Sequence, residues 1–154
     1  MKNIQNIALW PLADSGAPPP GPILAGHFCR GREYACQRRH GSRDWLLVYT
    51  RRGAGLFIID GSPVPAVRGR VLLLPPGFPH QYRSESDAWD FYWAHFLPDA
   101  EWQPWAEGLA GISQVDLATP GVDLRMQNAF KRLLIDQDRE GVVARSLVQS
   151  ALAE

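Results

Sequence analysis

Between residues 23 and 97 the apolar positions fall into short runs separated by turn-forming residues. The runs are Ile23 to Phe28, Glu33 to Gln37, Trp45 to Thr50, Leu56 to Asp60, Val64 to Val67, Arg70 to Leu74 and Ala88 to Leu97. Breaks such as Gly53-Ala54-Gly55 and Asp60-Gly61 supply the positive-φ positions that hairpins need. Short strands at this spacing predict an antiparallel sandwich or barrel. In the run from 88 to 97, Trp89, Phe91, Trp93 and His95 alternate with Asp90, Tyr92, Ala94 and Phe96. One of these two sets must face the barrel interior.

Beyond Pro98 the period changes. Asp99 to Leu109, with Trp102 and Trp105 three apart, predicts a short helical turn packed on the barrel. Thr119-Pro120 suits a helix start, and Val122, Met126, Ala129, Phe130, Leu133 and Leu134 then recur at helical spacing. After Gly141 the stripe resumes with Ala144, Leu147, Val148, Ala151 and Leu152. The fold class is therefore α+β, a jelly-roll type β-barrel followed by two amphipathic helices. Ahead of the barrel, Gly16 to Pro22 is rich in proline and glycine and reads as an arm, with Leu9, Trp10 and Pro11 as its apolar tip. The chain divides into an arm over 1–22, a barrel over 23–109 and a helical segment over 110–154. Its last helix stops in mid-pattern at Glu154, as a fragment of a longer protein would.

Composition narrows the functions open to this fold. The chain has 154 residues, 45% of them apolar, enough for one packed core. Its 16 basic and 16 acidic residues balance, so no basic surplus exists for holding a phosphate backbone, and no nucleic-acid contact is expected from this segment. The apolar runs fall far short of the ~20 residues that cross a bilayer, and the N-terminus lacks a hydrophobic signal, so a cytoplasmic protein without membrane contact is expected. Cys29 and Cys36 lack C-x-x-C spacing and read as buried free thiols.

The most specific motif is Gly69-Arg-Val-Leu-Leu-Leu-Pro75-Pro-Gly77-Phe-Pro-His80. It resembles the second motif of the cupin superfamily, a strand ending in a tight Pro-Gly turn, and so implies a cupin-like barrel. In metal-dependent cupins a companion motif supplies further histidines and a glutamate. Here the corresponding stretch, Arg39-His40-Gly41-Ser42-Arg43-Asp44-Trp45-Leu46-Leu47, offers at most one histidine, so neither metal nor cofactor is expected and His80 reads as a turn or wall residue.

With its neighbours the segment resembles something narrower. Leu72 to Gly77, His80-Gln81-Tyr82, Trp89 to Phe96 and Trp102-Gln103-Pro104-Trp105 are similar to the N-terminal domain of AraC-type, arabinose-responsive transcription regulators. That resemblance implies a non-enzymatic sensor that holds a sugar or similar effector inside the barrel. It further implies a homodimer formed through the C-terminal helices, with DNA read by a separate helix-turn-helix domain outside this chain. Arg38 matches the family's sugar-binding arginine, with Arg39 one register away. Tyr82 matches its hydrogen-bonding tyrosine, and Trp93 the indole on which the sugar packs. Phe91 stands where the family has a pocket histidine, and Phe28 near a polar position of the first strand, which argues against arabinose itself. Trp10, in the arm, takes the place of a segment that closes over ligand. The alternative is a degenerate, metal-independent cupin enzyme, isomerase-like, acting on a small polar substrate.

Overall fold

A computed structural model describes residues 13–15, 23–101, 103–108, 113–117 and 119–137. Among these residues nine strands form two antiparallel sheets facing one another. The first sheet has the order β1 (Ile23–Arg30), β8 (Trp89–Phe96), β3 (Trp45–Arg52), β6 (Arg70–Leu74) and β9 (Ser113–Asp116). The second runs β2 (Ala35–Arg38), β7 (His80–Ser84), β4 (Ala54–Ile59) and β5 (Ser62–Val67). Strands adjacent in sequence repeatedly lie in opposite sheets, as in a jelly roll.

The first sheet is covered on both faces. Inward, Leu46, Val48, Leu72, Leu74, Trp89 and Phe91 meet Cys36, Phe57, Ile59, Ala66 and Tyr82 of the second sheet. Outward, Ala25, Tyr49, Val71, Tyr92 and Ala94 pack beneath Phe130 and Leu133 of α2 (Pro120–Asp136), while Trp45, Leu73 and Phe96 pack with Ala106 of α1 (Gln103–Gly108). Double burial explains why β3 and β6 read as continuous apolar runs instead of alternating with polar residues. The motif at residues 69 to 80 forms the expected turn. Gly77 has φ of +81°, which the Pro76-Gly77 corner requires, and its N–H donates to the Ser42 carbonyl at 2.9 Å.

Several expectations need correction. Of the two amphipathic helices the pattern predicts after the barrel, the described residues contain one, α2; the stretch from Ala144 to Leu152 lies outside the described residues. Within α2, Leu133 is buried against the barrel of its own chain, so the apolar side chains it exposes are Val122, Leu124 and Ile135. Strand β9 has no counterpart in the sequence reading, because Ser-Gln-Val-Asp carries one apolar residue and owes its state to pairing with β6. Cys36 is buried but Cys29 is exposed, since β1 is an edge strand and position 29 falls on its outer face.

Gln137, just past α2, fastens the helix to that edge. Its carboxamide accepts from the Ala25 N–H at 2.9 Å and donates to the Ala25 carbonyl at 3.0 Å, standing in for the strand that β1 lacks. No described helix is long and apolar enough to cross a membrane.

Candidate functional site

Between the sheets the interior has two unlike ends. At one, aromatic rings fill the space. Trp89 stacks on Phe91 at 3.9 Å between centroids and packs edgewise on Phe57 at 6.2 Å, and Phe57 stacks on Tyr82 at 4.7 Å. At the other a cavity of about 360 Å³ remains, within the range of small-molecule sites. Strand periodicity delivers its wall: Cys36 and Arg38 on β2 face the same way, as do Phe91, Trp93 and His95 on β8.

Arg38, Tyr82, Trp93, Phe91 and Phe28 all line this one cavity. Trp10 lies outside the described residues. Sequence reasoning left out Tyr34, Cys36, His95 and Leu24, which line it as well. A signal existed for two of them: if Arg38 points inward, a period of two carries Cys36 and Tyr34 inward with it.

The indole of Trp93 lies across β1 because position 26 is glycine. A Cβ there would come within 2.4 Å of the Trp93 ring. The indole N–H is buried, with no acceptor among the described residues. Beside it, His95 donates from Nδ1 to the buried Asp44 carboxylate at 2.9 Å, which fixes the ring's orientation. Ser15, from the arm, also lines the cavity; its N–H donates to the Gln37 carbonyl at 2.8 Å and its Oγ accepts from the Gln37 N–H at 3.1 Å. Asp14 and Ser15 thus bond along the outer edge of β2.

Tyr34 and Tyr82 are driven above the usual phenol range, chiefly by burial, so both are neutral hydroxyls. His80 sits across the β2–β7 pair from Arg38. Its Nδ1 donates to the Phe78 carbonyl at 2.9 Å, leaving Nε2 as a buried lone pair without a partner among the described residues. Burial above all, then the charges of Arg38 and His95, bring its pKa down to about 4 against the pull of the Phe78 bond, and the ring is neutral at pH 7. A second, outer cavity of about 290 Å³ lies behind this point, with Arg38, Arg39, Asp60 and His80 in its wall. Among the described residues no three His, Cys, Asp or Glu side chains gather as metal ligands would. The inner cavity can enclose a small molecule, offering it a guanidinium, two phenols and an indole face.

The chain is 30% identical over 119 residues to the MmsAB operon regulatory protein of Pseudomonas aeruginosa, covering 73% of this chain and 38% of that protein. It is 35% identical over 86 residues to the arabinose operon regulatory protein of Salmonella typhimurium, covering 54% of this chain and 30% of that one. The chain therefore spans about a third of the length of these relatives. Among solved structures, apo ToxT from Vibrio cholerae superposes with a TM-score of 0.61 at 7% identity, over 86% of this chain and 54% of ToxT, a likeness of fold. The AraC-like ligand binding domain matches residues 21–154, and the chain belongs to that family.

Proposed function

We propose that this chain is the effector-binding part of a transcription regulator, holding a small molecule, a sugar or a compound of similar size, in the cavity between its sheets without transforming it. One observation carries the reading. Arg38, Tyr82 and Trp93, drawn from three strands, converge on a cavity of about 360 Å³ in a domain whose relatives are operon regulators. ToxT, which shares the fold, has been solved with an unsaturated fatty acid bound, so such a fold can host a small molecule.

Dimerisation through α2 belongs to the same proposal, and the apolar side chains it exposes, Leu124 and Ile135 foremost, supply the surface. DNA reading is assigned to a helix-turn-helix domain outside this chain, and the whole regulator to the cytoplasm. Arm closure over ligand is supported by Asp14 and Ser15, which are hydrogen-bonded along β2 at the cavity mouth.

A thermal-shift screen of pentoses, hexoses, uronic acids and other small metabolites tests the proposal, because a ligand that binds only the folded state raises the melting temperature. At least one compound should stabilise the wild-type chain and lose its effect in Trp93→Ala. An equal shift in Trp93→Ala, or no stabiliser from the whole screen, would contradict it.

A further inference from the structure

The polar groups of the inner cavity are unevenly available. The Tyr34 and Tyr82 hydroxyls bond to one another, Tyr82 also reaches the Cys36 thiol, the Ser15 hydroxyl accepts from the backbone of β2, and His95 is held by Asp44. Arg38 differs. A guanidinium carries five N–H donors, more than one neighbouring acceptor can occupy, and it keeps its charge at any physiological pH. Among the described residues lining the cavity it bears the one permanent charge, and none is an aspartate or glutamate. Much of the remaining wall is hydrocarbon: Leu24, Leu46, Val48, Phe28, Phe91 and the Trp93 ring.

Such a wall suits one class of guest poorly and another well. A pentose or hexose brings a hydroxyl on almost every carbon, and each that is buried without a partner is costly. A molecule with one anionic group and an apolar body places its charge against the guanidinium and its hydrocarbon against the rings. The field of Arg38 is felt there, since it offsets part of the rise in both tyrosines and disfavours a proton on His80. We infer that the effector is a small monocarboxylate with an apolar or aromatic body, its carboxylate paired with Arg38 and its body packed against Phe28, Phe91 and Trp93. This inference rests on the proposed role of the cavity as an effector site.

The test uses the whole 154-residue chain and pairs of probes that differ only in charge. Melting temperature and isothermal titration are measured with 3-phenylpropionate and hexanoate, with the alcohols 3-phenylpropan-1-ol and hexan-1-ol, and with L-arabinose and D-glucose. Each carboxylate should bind about tenfold or more tightly than its alcohol, as a charge-assisted bond predicts. Arg38→Met should erase that difference while leaving alcohol binding in place, and Arg39→Met, which alters only the outer cavity, should preserve it. If Arg38→Met fails to melt cooperatively, the carboxylate-to-alcohol ratio in the wild-type chain decides alone. Equal affinity for acid and alcohol, binding of the sugars only, or loss on Arg39→Met in place of Arg38→Met overturns the carboxylate assignment and leaves the sensor reading intact. Absence of any response to all six compounds overturns the assignment, and silence through the broader screen above would remove the sensor reading with it.

Discussion

Trp89 and Trp93 lie on the same face of β8, and each crosses a glycine, Trp89 one on β4 of the facing sheet and Trp93 one on the neighbouring β1. A Cβ at Gly55 would approach the Trp89 ring to 2.5 Å, and one at Gly26 the Trp93 ring to 2.4 Å. From there the two diverge. Trp89 is fully buried, stacks on Phe91 and donates its indole N–H to Thr50 Oγ1 at 3.1 Å. Trp93 is half-buried, its N–H meets no acceptor among the described residues, and its free side is the cavity. One device serves two ends. Where protein rings lie beyond the indole it makes a closed core, and where a cavity lies there among the described residues it makes the wall of a site.

Substitutions at the two ends should therefore separate stability from binding. Trp89→Ala removes a fully buried ring and should cost about 3–5 kcal/mol in chemical denaturation, whereas Trp93→Ala should cost clearly less yet abolish ligand-induced stabilisation. Equal losses from the two would erase the distinction.

The next largest effect is one of pH. His80 packs beside Tyr82 and Phe57 behind the cavity wall, opposite Arg38, and is buried despite its polarity. Unfolded, its ring takes a proton near 6.5; folded, only near 4. Its contribution is therefore complete above about pH 6.5 and is lost as pH falls through 4, roughly 3 kcal/mol in all. Urea titrations between pH 4 and 7 should show that slope, and His80→Gln should flatten it.

Gly55→Ala and Gly26→Ala probe the same device more gently. The first presses on a ring with nowhere to go and should destabilise by about 1–3 kcal/mol. The second presses on an indole that can swing into the cavity, so it should cost less and act mainly by narrowing the site. Smallest is Thr50→Val, which leaves the Trp89 N–H buried without its acceptor and should cost about 1–2 kcal/mol by thermal melting.

Much of this was legible from the chain, for identifiable reasons. Strand periodicity grouped Trp89, Phe91, Trp93 and His95 on one face, and glycine and proline marked the turns, because both signals are local. What escaped depends on neighbours. Ser113 to Asp116 becomes a strand only because β6 offers an edge, and Cys29 is exposed while Ala25, on the same face of β1, lies buried beneath α2. The site was legible in part. Matching residues named Arg38, Tyr82, Trp93, Phe91 and Phe28, and the fold brings them to one cavity. The extent to which Phe57, Tyr34 and Trp89 fill the rest of the interior, and so confine a guest to the end near Arg38, follows from ring packing across strands that no local pattern records.

The claim that one end is closed and the other open to a guest can be read from the two tryptophans directly. The chain would be labelled with 5-fluorotryptophan, its fluorine resonances assigned by single Trp→Phe variants, and the spectrum followed while the strongest stabiliser from the thermal screens is added. The account predicts that the Trp93 resonance shifts and saturates with the ligand while that of Trp89 stays in place. Saturable binding that leaves Trp93 unmoved, or that moves Trp89 alone, would contradict it.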